Sequence, residues 1–227
     1  MFSRSLWVKY SGRMASHPDP QQAFERLLKG VRHFREKEFP SRRELYAQIT
    51  REGQRPHTLF ITCADSRLDP ELLTGSGPGD IFVSRNIGNV VPAYGGMLGG
   101  VSAVIEYAVS ALEVSQIVVC GHSDCGAMKS LLHPEALDKL PTVKHWLTSA
   151  EAAISVADAV CSREDGPAFL SNLVEQNVLL QVSHLKTHPS VAGQLARGRL
   201  EIRGWVFDIN SGEVSMSRDD GQFVPVN

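Results

Sequence analysis

Two kinds of hydrophobic spacing alternate along the chain. From Phe24 to Phe34 apolar residues recur every three or four positions behind Asp19-Pro20, which predicts an amphipathic helix over about 20–36. A second helix is predicted from Pro40 onwards. Three short runs of β-forming residues follow, and they predict strands buried on both faces at 57–62, 80–84 and 116–120.

Helical spacing fills the chain between and after these strands. Helices are predicted at about 101–112, 142–161, 167–184 and 189–197, with strand-like runs at 200–202 and 206–209 before a turn. Strands that alternate with helices require crossover connections. We therefore predict an α/β fold with a mostly parallel central sheet flanked by helices. It forms one domain over 19–227, with an N-terminal helical arm at about 20–52.

Composition narrows the possible partners. The chain has 227 residues, of which 42% are hydrophobic and 21% charged, so it can bury a core of its own. A formal net charge of −2 offers no broad basic face for nucleic acid. Apolar runs fall far short of the roughly 20 residues that span a bilayer. Four cysteines in this length do not suggest a disulfide framework. A reducing compartment therefore fits better, and we expect a cytoplasmic location.

The first 18 residues differ from the rest of the chain. They contain three basic residues, four serines and no acid before Asp19. This segment is predicted to be a disordered or extension segment, and organelle targeting stays open as the alternative.

Metal-binding side chains follow two of the predicted strands. Cys63 comes directly after the first strand, and His122 and Cys125 follow the third. Sites in open α/β sheets lie just past the carboxyl ends of the strands. Two thiolates and an imidazole can hold a tetrahedral zinc with one position open. A zinc deaminase requires Glu where Asp124 stands, and we interpret Asp124 as a cap of the following helix. The alternative is that the three ligand residues pack in the core without a metal.

The motifs around these residues resemble a known family. Cys-Ala-Asp-Ser-Arg at 63–67 and Gly-His-Ser-Asp-Cys-Gly at 121–126 are similar to the two signatures of the β-class carbonic anhydrases. Pro-Gly-Asp at 78–80 and Arg-Asn-Ile-Gly-Asn at 85–89 extend the resemblance, which runs from about Phe24 to the C-terminus. The pattern is most similar to the plant-like subtype and to bacterial enzymes associated with cyanate degradation.

The resemblance implies one Zn²⁺ per subunit on Cys63, His122 and Cys125, with Asp65 and Arg67 as a catalytic pair. It implies reversible hydration of carbon dioxide to bicarbonate and a proton, by attack of a zinc-bound hydroxide. Two thiolates cancel the formal charge of Zn²⁺, so a water bound there should lose its proton less easily, and a positive charge nearby favours that ionisation. Arg67 can supply that charge while it holds the carboxylate in place.

The resemblance also implies a substrate pocket. Gln54 matches a glutamine that hydrogen-bonds the substrate, Phe82 and Tyr107 match aromatic residues of a narrow apolar pocket, and Val91 adds to that pocket. The backbone N–H of Gly126 can help to position an anion at a helix start. The alternative is that Gln54 is surface and that the aromatic residues belong to the ordinary core.

The resemblance also implies how the subunits assemble. The family builds its sites at a dimer interface, so we expect a homodimer or a dimer of dimers, and the helix at 20–36 can pack on a partner or on its own chain.

Two rival functions remain for the same residues. One rival is a structural zinc site closed by Asp65. The other is a zinc hydrolase of another small linear substrate, such as carbon disulfide. Gln54 and the paired Asp65 and Arg67 argue against the structural site.

Overall fold

The chain is described by a computed structural model over residues 19–96 and 99–226. These residues fall into two compact units, one that ends at Gly53 and one that begins at Gln54. The predicted extension at 1–18 lies outside the described residues. The division of the chain into domains stays a prediction.

The N-terminal unit consists of two helices joined by a short π-helical segment. Helix α1 spans Pro20–His33, a π-helical turn covers Phe34–Glu38, and helix α2 spans Phe39–Glu52. Pro20 begins α1 because its fixed φ and missing N–H suit the first turn, whereas the Asp19 side chain makes no capping bond. The rings of Phe34, Phe39 and Tyr46 cluster, with centroids 5.3–6.4 Å apart.

The second unit is built on one six-stranded sheet. Its strands are β1 Thr58–Cys63, β2 Ile81–Asn86, β3 Gln116–His122, β4 Glu201–Phe207, β5 Val214–Ser217 and β6 Phe223–Pro225. The spatial order is β2-β1-β3-β4-β5-β6. The first four strands are parallel, β5 pairs antiparallel with β4, and β6 pairs antiparallel with β5. The predicted α/β class with a mostly parallel sheet is confirmed.

Helices connect the parallel strands and cover the sheet. They are α3 Pro70–Thr74, α4 Gly100–Ser110, α5 Gly126–Leu132, α6 Pro141–Leu147, α7 Ala152–Val160, α8 Gly166–Leu185 and α9 Pro189–Ala196. None of the helices in the described ranges has the length and apolar character needed to cross a bilayer.

Alternate residues of the central strands enter different core clusters. Leu59 and Ile117 pack in one cluster, with residues of α4 and α8, whereas Phe60 and Val118 pack in another. Both faces of β1 and β3 are therefore buried. This explains the continuous apolar runs that predicted these strands.

Helix α8 approaches the sheet closely at two glycines. A Cβ on Gly121 would lie 2.8 Å from Cγ2 of Val178, and a Cβ on Gly204 would lie 2.8 Å from Cγ1 of the same valine. No side chain fits at either position, so the glycines let α8 lie directly on β3 and β4. This contact supports the residues that follow Gly121.

Three features differ from the predicted elements. The helix predicted at 142–161 is two helices, because a 3₁₀ turn at Thr148–Ala150 separates α6 from α7. The strand-like runs at 200–202 and 206–209 form one strand, β4, through Gly204. Strands β5 and β6 were not predicted, because they are short and partly polar and gain their hydrogen bonds only through tertiary pairing, β5 with β4 and β6 with β5.

Candidate metal centre and active site

Three ligand side chains meet at one edge of the sheet. Cys63 ends β1, His122 ends β3, and Cys125 directly precedes α5. Because β1 and β3 are parallel neighbours, with Thr62 opposite Cys120, their carboxyl ends lie together. The three ligand atoms lie within 4.8 Å of one another, and all three residues are buried.

The imidazole of His122 is oriented for metal binding. Its Nδ1 lies 2.8 Å from the carbonyl oxygen of Ser123, and since a carbonyl only accepts, Nδ1 carries the proton. Its Nε2 is buried and has no hydrogen-bond partner among the described residues. A buried, unprotonated nitrogen that faces two cysteine sulfurs is the arrangement expected of a metal ligand.

The two thiols differ in proton affinity. The thiol of Cys125 is the main group that lowers the pKa of Cys63. The side chain of His122 and the N–H groups of Gly88 and Asp65 also help to lower it, against the effect of burial, to about 4. The thiolate of Cys63 beside it, together with burial, raises the pKa of Cys125. A cation is needed for both to ionise. Two thiolates and one imidazole suit zinc.

Asp65 and Arg67 form a bidentate pair beside the ligands. Arg67 Nε donates to Asp65 Oδ1 at 2.9 Å and its Nη2 to Oδ2 at 2.7 Å, and the Arg67 backbone N–H donates to Oδ1 at 3.0 Å. The hydrogen bond from the Arg67 side chain is the main cause that holds the pKa of Asp65 well below its usual range. Asp65 Oδ2 lies 3.9 Å from His122 Nε2, so an ionised carboxylate adjoins the ligand set.

Two further interactions shape this loop, and sequence reasoning assigned no role to them. Arg85 at the end of β2 donates from Nη2 to the carbonyls of Asp65 at 2.7 Å and Leu68 at 2.6 Å. Buried Asn177 on α8 donates to the carbonyl of Gly88 at 3.1 Å. Gly88 has a φ of 76°, which favours glycine, and its N–H reaches the Cys63 sulfur. Arg85 and Gly88 belong to the Arg-Asn-Ile-Gly-Asn motif at 85–89. This motif was the sequence signal that could have pointed to their roles.

Asp124 does not cap the following helix. The N-cap position of α5 is Cys125, and no side-chain capping bond forms there. The Asp124 carboxylate instead accepts from Arg67 Nη1 at 2.9 Å and from Lys129 Nζ. The interpretation of Asp124 as a helix cap is therefore wrong. Its partner Arg67 lies on a loop 57 residues away along the chain.

The predicted pocket residues do not all lie at this edge. Phe82 pairs with Leu59, four residues before Cys63, which is roughly 13 Å along the strand at about 3.3 Å per residue. Tyr107 lies beside Phe82, with ring centroids 6.0 Å apart. Gln54 is exposed and precedes β1 altogether. Within one chain, these three residues lie towards the opposite end of the sheet from the ligands.

The other two predicted pocket residues have different surroundings. Val91 is fully buried, and its backbone N–H donates to Oε1 of Gln181 on α8 at 2.9 Å. Gly126 is exposed at the first turn of α5, with nothing within 4 Å of a Cβ built on it. The pocket roles of all five residues stay predictions.

Comparison with known proteins agrees with this fold. The sequence model of the family described as carbonic anhydrase matches residues 58–214. A carbonic anhydrase of Pseudomonas aeruginosa is 48% identical over 188 residues, which cover 83% of this chain and 84% of that protein. The structure of the β-carbonic anhydrase CcaA superimposes with a TM-score of 0.86 at 44% identity, covering 90% of this chain and all of that one. Tetrameric β-carbonic anhydrases of Sordaria macrospora match with a TM-score of 0.75 at 28% identity, covering 86% of this chain and 96% of that one.

The fold, the Cys-His-Cys group and these relatives together define a zinc-dependent lyase of the α/β class. The chain belongs to the β-class carbonic anhydrase family. Zinc is the metal that this family uses, and the buried ligand set fits it. The similarity to enzymes associated with cyanate degradation stays a prediction.

Proposed function

We propose that this protein hydrates carbon dioxide reversibly to bicarbonate and a proton, with Zn²⁺ held by Cys63, His122 and Cys125. The observation that carries the proposal is the ionised, bidentate Asp65–Arg67 pair directly beside a buried ligand set whose imidazole Nε2 lacks a partner. When bound, zinc supplies a nucleophile at moderate pH by lowering the pKa of a water molecule.

The chain's own residues orient the reaction. An ionised carboxylate only accepts hydrogen bonds, so Asp65 accepts one from the attacking oxygen and points a lone pair of that oxygen at the carbon of carbon dioxide. Arg67 keeps Asp65 ionised and fixed through two parallel hydrogen bonds. Its positive charge also offsets the negative charge of the two thiolates.

The same geometry disfavours a purely structural zinc site. A closed site requires Asp65 as a permanent fourth ligand. Both carboxylate oxygens of Asp65 are instead engaged by Arg67, and one of them also accepts from a backbone N–H. No observation in the described residues favours another small linear substrate over carbon dioxide.

We infer that the site is completed across an interface in a homodimer or a dimer of dimers. Three predicted pocket residues lie towards the end of the sheet opposite the metal ligands of the same chain, namely Gln54, Phe82 and Tyr107. They can therefore line a metal site only if it belongs to a second copy of the chain. Tyr107 is 50% exposed, as expected of a residue that a partner covers. The tetrameric Sordaria macrospora relatives support such an assembly.

A cytoplasmic location is part of the same proposal. All four cysteines are free, and two of them belong to the metal site. Thiols that must stay available for a metal suit a reducing compartment.

The decisive experiment is stopped-flow carbon dioxide hydration by the zinc-loaded protein and its Asp65→Asn variant, with metal content measured in both. We expect rapid hydration by the parent and a fall in kcat of roughly a hundredfold or more in the variant, since the attacking oxygen loses its orientation. Asp158→Asn removes an exposed carboxylate that pairs with Arg163 on the surface, and it serves as the matched control with parental activity. A parent with full zinc and no hydration would refute the proposal.

A further inference from the structure

Arg67 contacts two carboxylates rather than one. Its Nε and Nη2 face Asp65, while Nη1 donates to Asp124 Oδ2 at 2.9 Å and Nη2 lies 3.5 Å from the Asp124 carbonyl oxygen. All three guanidinium nitrogens are therefore engaged. Because Asp65 and Arg67 follow β1 and Asp124 follows β3, the guanidinium joins the two loops that carry the metal ligands.

Asp124 has a strained backbone conformation. Its φ of 59° lies in the left-handed region, where a residue other than glycine is uncommon. Such strain persists where the surrounding structure holds the residue in place, and it clusters at functional sites. The αL conformation occurs between two ligands, His122 and Cys125, and the Asp124 carboxylate reaches Arg67 from it.

The charges around Asp124 balance. Asp65 and Asp124 contribute two negative charges, and Arg67 and Lys129 contribute two positive charges. Because Lys129 pairs with Asp124, a second carboxylate can hold Arg67 without leaving excess negative charge beside two thiolates.

A second anchor is needed because the arginine is not enclosed. The Arg67 side chain is 45% exposed, so water competes for its donors and the long side chain keeps rotational freedom. If only Nε and Nη2 were bonded, to Asp65, the guanidinium plane could still tilt about that edge. The hydrogen bond from Nη1 to Asp124 fixes the plane from the opposite side. A carboxylate released by Arg67 would be free to approach the ligands, since Asp65 Oδ2 already lies 3.9 Å from His122 Nε2 and carboxylates are zinc ligands.

We propose that Asp124 is a positioning residue that holds the outer edge of the Arg67 guanidinium, so that its inner edge stays paired with Asp65 and the carboxylate stays off the metal. The inference rests on the proposed function, in which Asp65 orients the attacking oxygen. Asp124 acts only through Arg67 and touches no reacting atom.

The test compares zinc-loaded parent, Asp124→Gly and Asp124→Asn, with Asp158→Asn as the remote carboxylate control. Glycine removes the side chain and accepts the positive φ, whereas asparagine keeps an acceptor oxygen but loses the charge. We expect kcat to fall roughly ten- to hundredfold in Asp124→Gly, as for other outer-shell partners of metal sites. The fall in Asp124→Asn should be smaller, with KM and zinc content near parental in both.

Two measurements separate positioning from general damage. In protein carrying ¹⁵N-arginine, the Nε–H signal of Arg67, assigned with Arg67→Lys, should be protected from solvent exchange in the parent and lose protection in Asp124→Gly. In an Arg67→Met background, removal of Asp124 should cause no further fall in kcat, because the two residues act as one unit.

Parental kcat and parental Arg67 protection in Asp124→Gly would overturn the inference. Loss of zinc from both Asp124 variants would overturn it as well, because the role would then lie in ligand retention. If the parent itself does not hydrate carbon dioxide, the proposed function fails, while the arginine signal still decides whether Asp124 holds Arg67.

Discussion

At the residue scale, one guanidinium supports the backbone of the Asp65 loop. Arg85 Nη2 donates to two carbonyls of that loop, those of Asp65 and Leu68. Arg85→Ala leaves both without this donor, so we expect a loss of about 1–3 kcal/mol in the free energy of unfolding and a lower kcat. Denaturant unfolding and stopped-flow hydration measure the two effects. Arg203→Ala, which removes only an exposed ion pair with Glu201, should cost at most about 1 kcal/mol, and an equal effect of both changes would contradict the role of Arg85.

Also at the residue scale, Glu175 on α8 gives stability a pH dependence. Burial raises the pKa of this carboxyl above its ordinary value. Its ionisation therefore opposes folding: the penalty is absent below the unfolded-state pKa, grows as pH rises through the folded-state pKa, and persists above it. Glu175→Gln should raise the denaturant midpoint at pH 8, with a gain that shrinks towards pH 5. The exposed Glu106→Gln serves as control. A gain for Glu175→Gln that is equal at both pH values would exclude burial of the charge as the cause.

At the scale of elements, the contact of α8 with β3 depends on Gly121. A Cβ there would lie 2.8 Å from Val178 Cγ2 and 3.1 Å from Val174 Cγ1, so α8 must shift or the valines must leave their rotamers. Gly121→Ala should lower the free energy of unfolding by about 1–3 kcal/mol, and chemical denaturation measures it. It should also weaken zinc retention, because His122 follows directly. Gly193→Ala within α9 meets no atom closer than 3.8 Å and should be neutral or stabilising. Similar losses at both glycines would show that the close approach of α8 is not the cause.

At the scale of the whole molecule, the proposed interface predicts complementation between inactive chains. Asp65→Asn damages the metal side of a site, and Gln54→Ala damages the residue that a second copy would supply. In a mixed dimer, one of the two sites then combines intact Asp65 with intact Gln54. Refolding equal amounts together should restore about a quarter of parental activity, since random pairing puts half of the chains in mixed dimers.

Steady-state hydration before and after the mixing step measures this recovery, and gel filtration with light scattering establishes the assembly. Asp65→Asn mixed with Arg67→Met is the matched control, because both changes damage the metal side and no mixed site is intact. Recovery in that control, or none with Gln54→Ala, would contradict a site shared between subunits.

The sequence by itself determined the α/β order of the elements and the ligand group. Periodicity is a property of residues that are neighbours along the chain, so the apolar runs of β1 and β3 were legible without their partners. Because parallel neighbours end at one edge, Cys63, His122 and Cys125 were expected together, and the structure brings them within 4.8 Å. Strands β5 and β6 escaped prediction because only pairing makes them strands, β5 with β4 and β6 with β5.

Only the tertiary structure decided which side chains share a partner. Asp124 was expected to cap a helix, since a carboxylate just before a helix start does so locally, yet it pairs with Arg67 from a loop 57 residues away. The hydrogen bond from Asn177 to the Gly88 carbonyl joins residues 89 positions apart. The distance of Phe82 from the metal ligands of the same chain follows from the register of β1 and β2. Such contacts depend on the sheet order β2-β1-β3, which places distant segments side by side, and a local sequence pattern carries no record of that order.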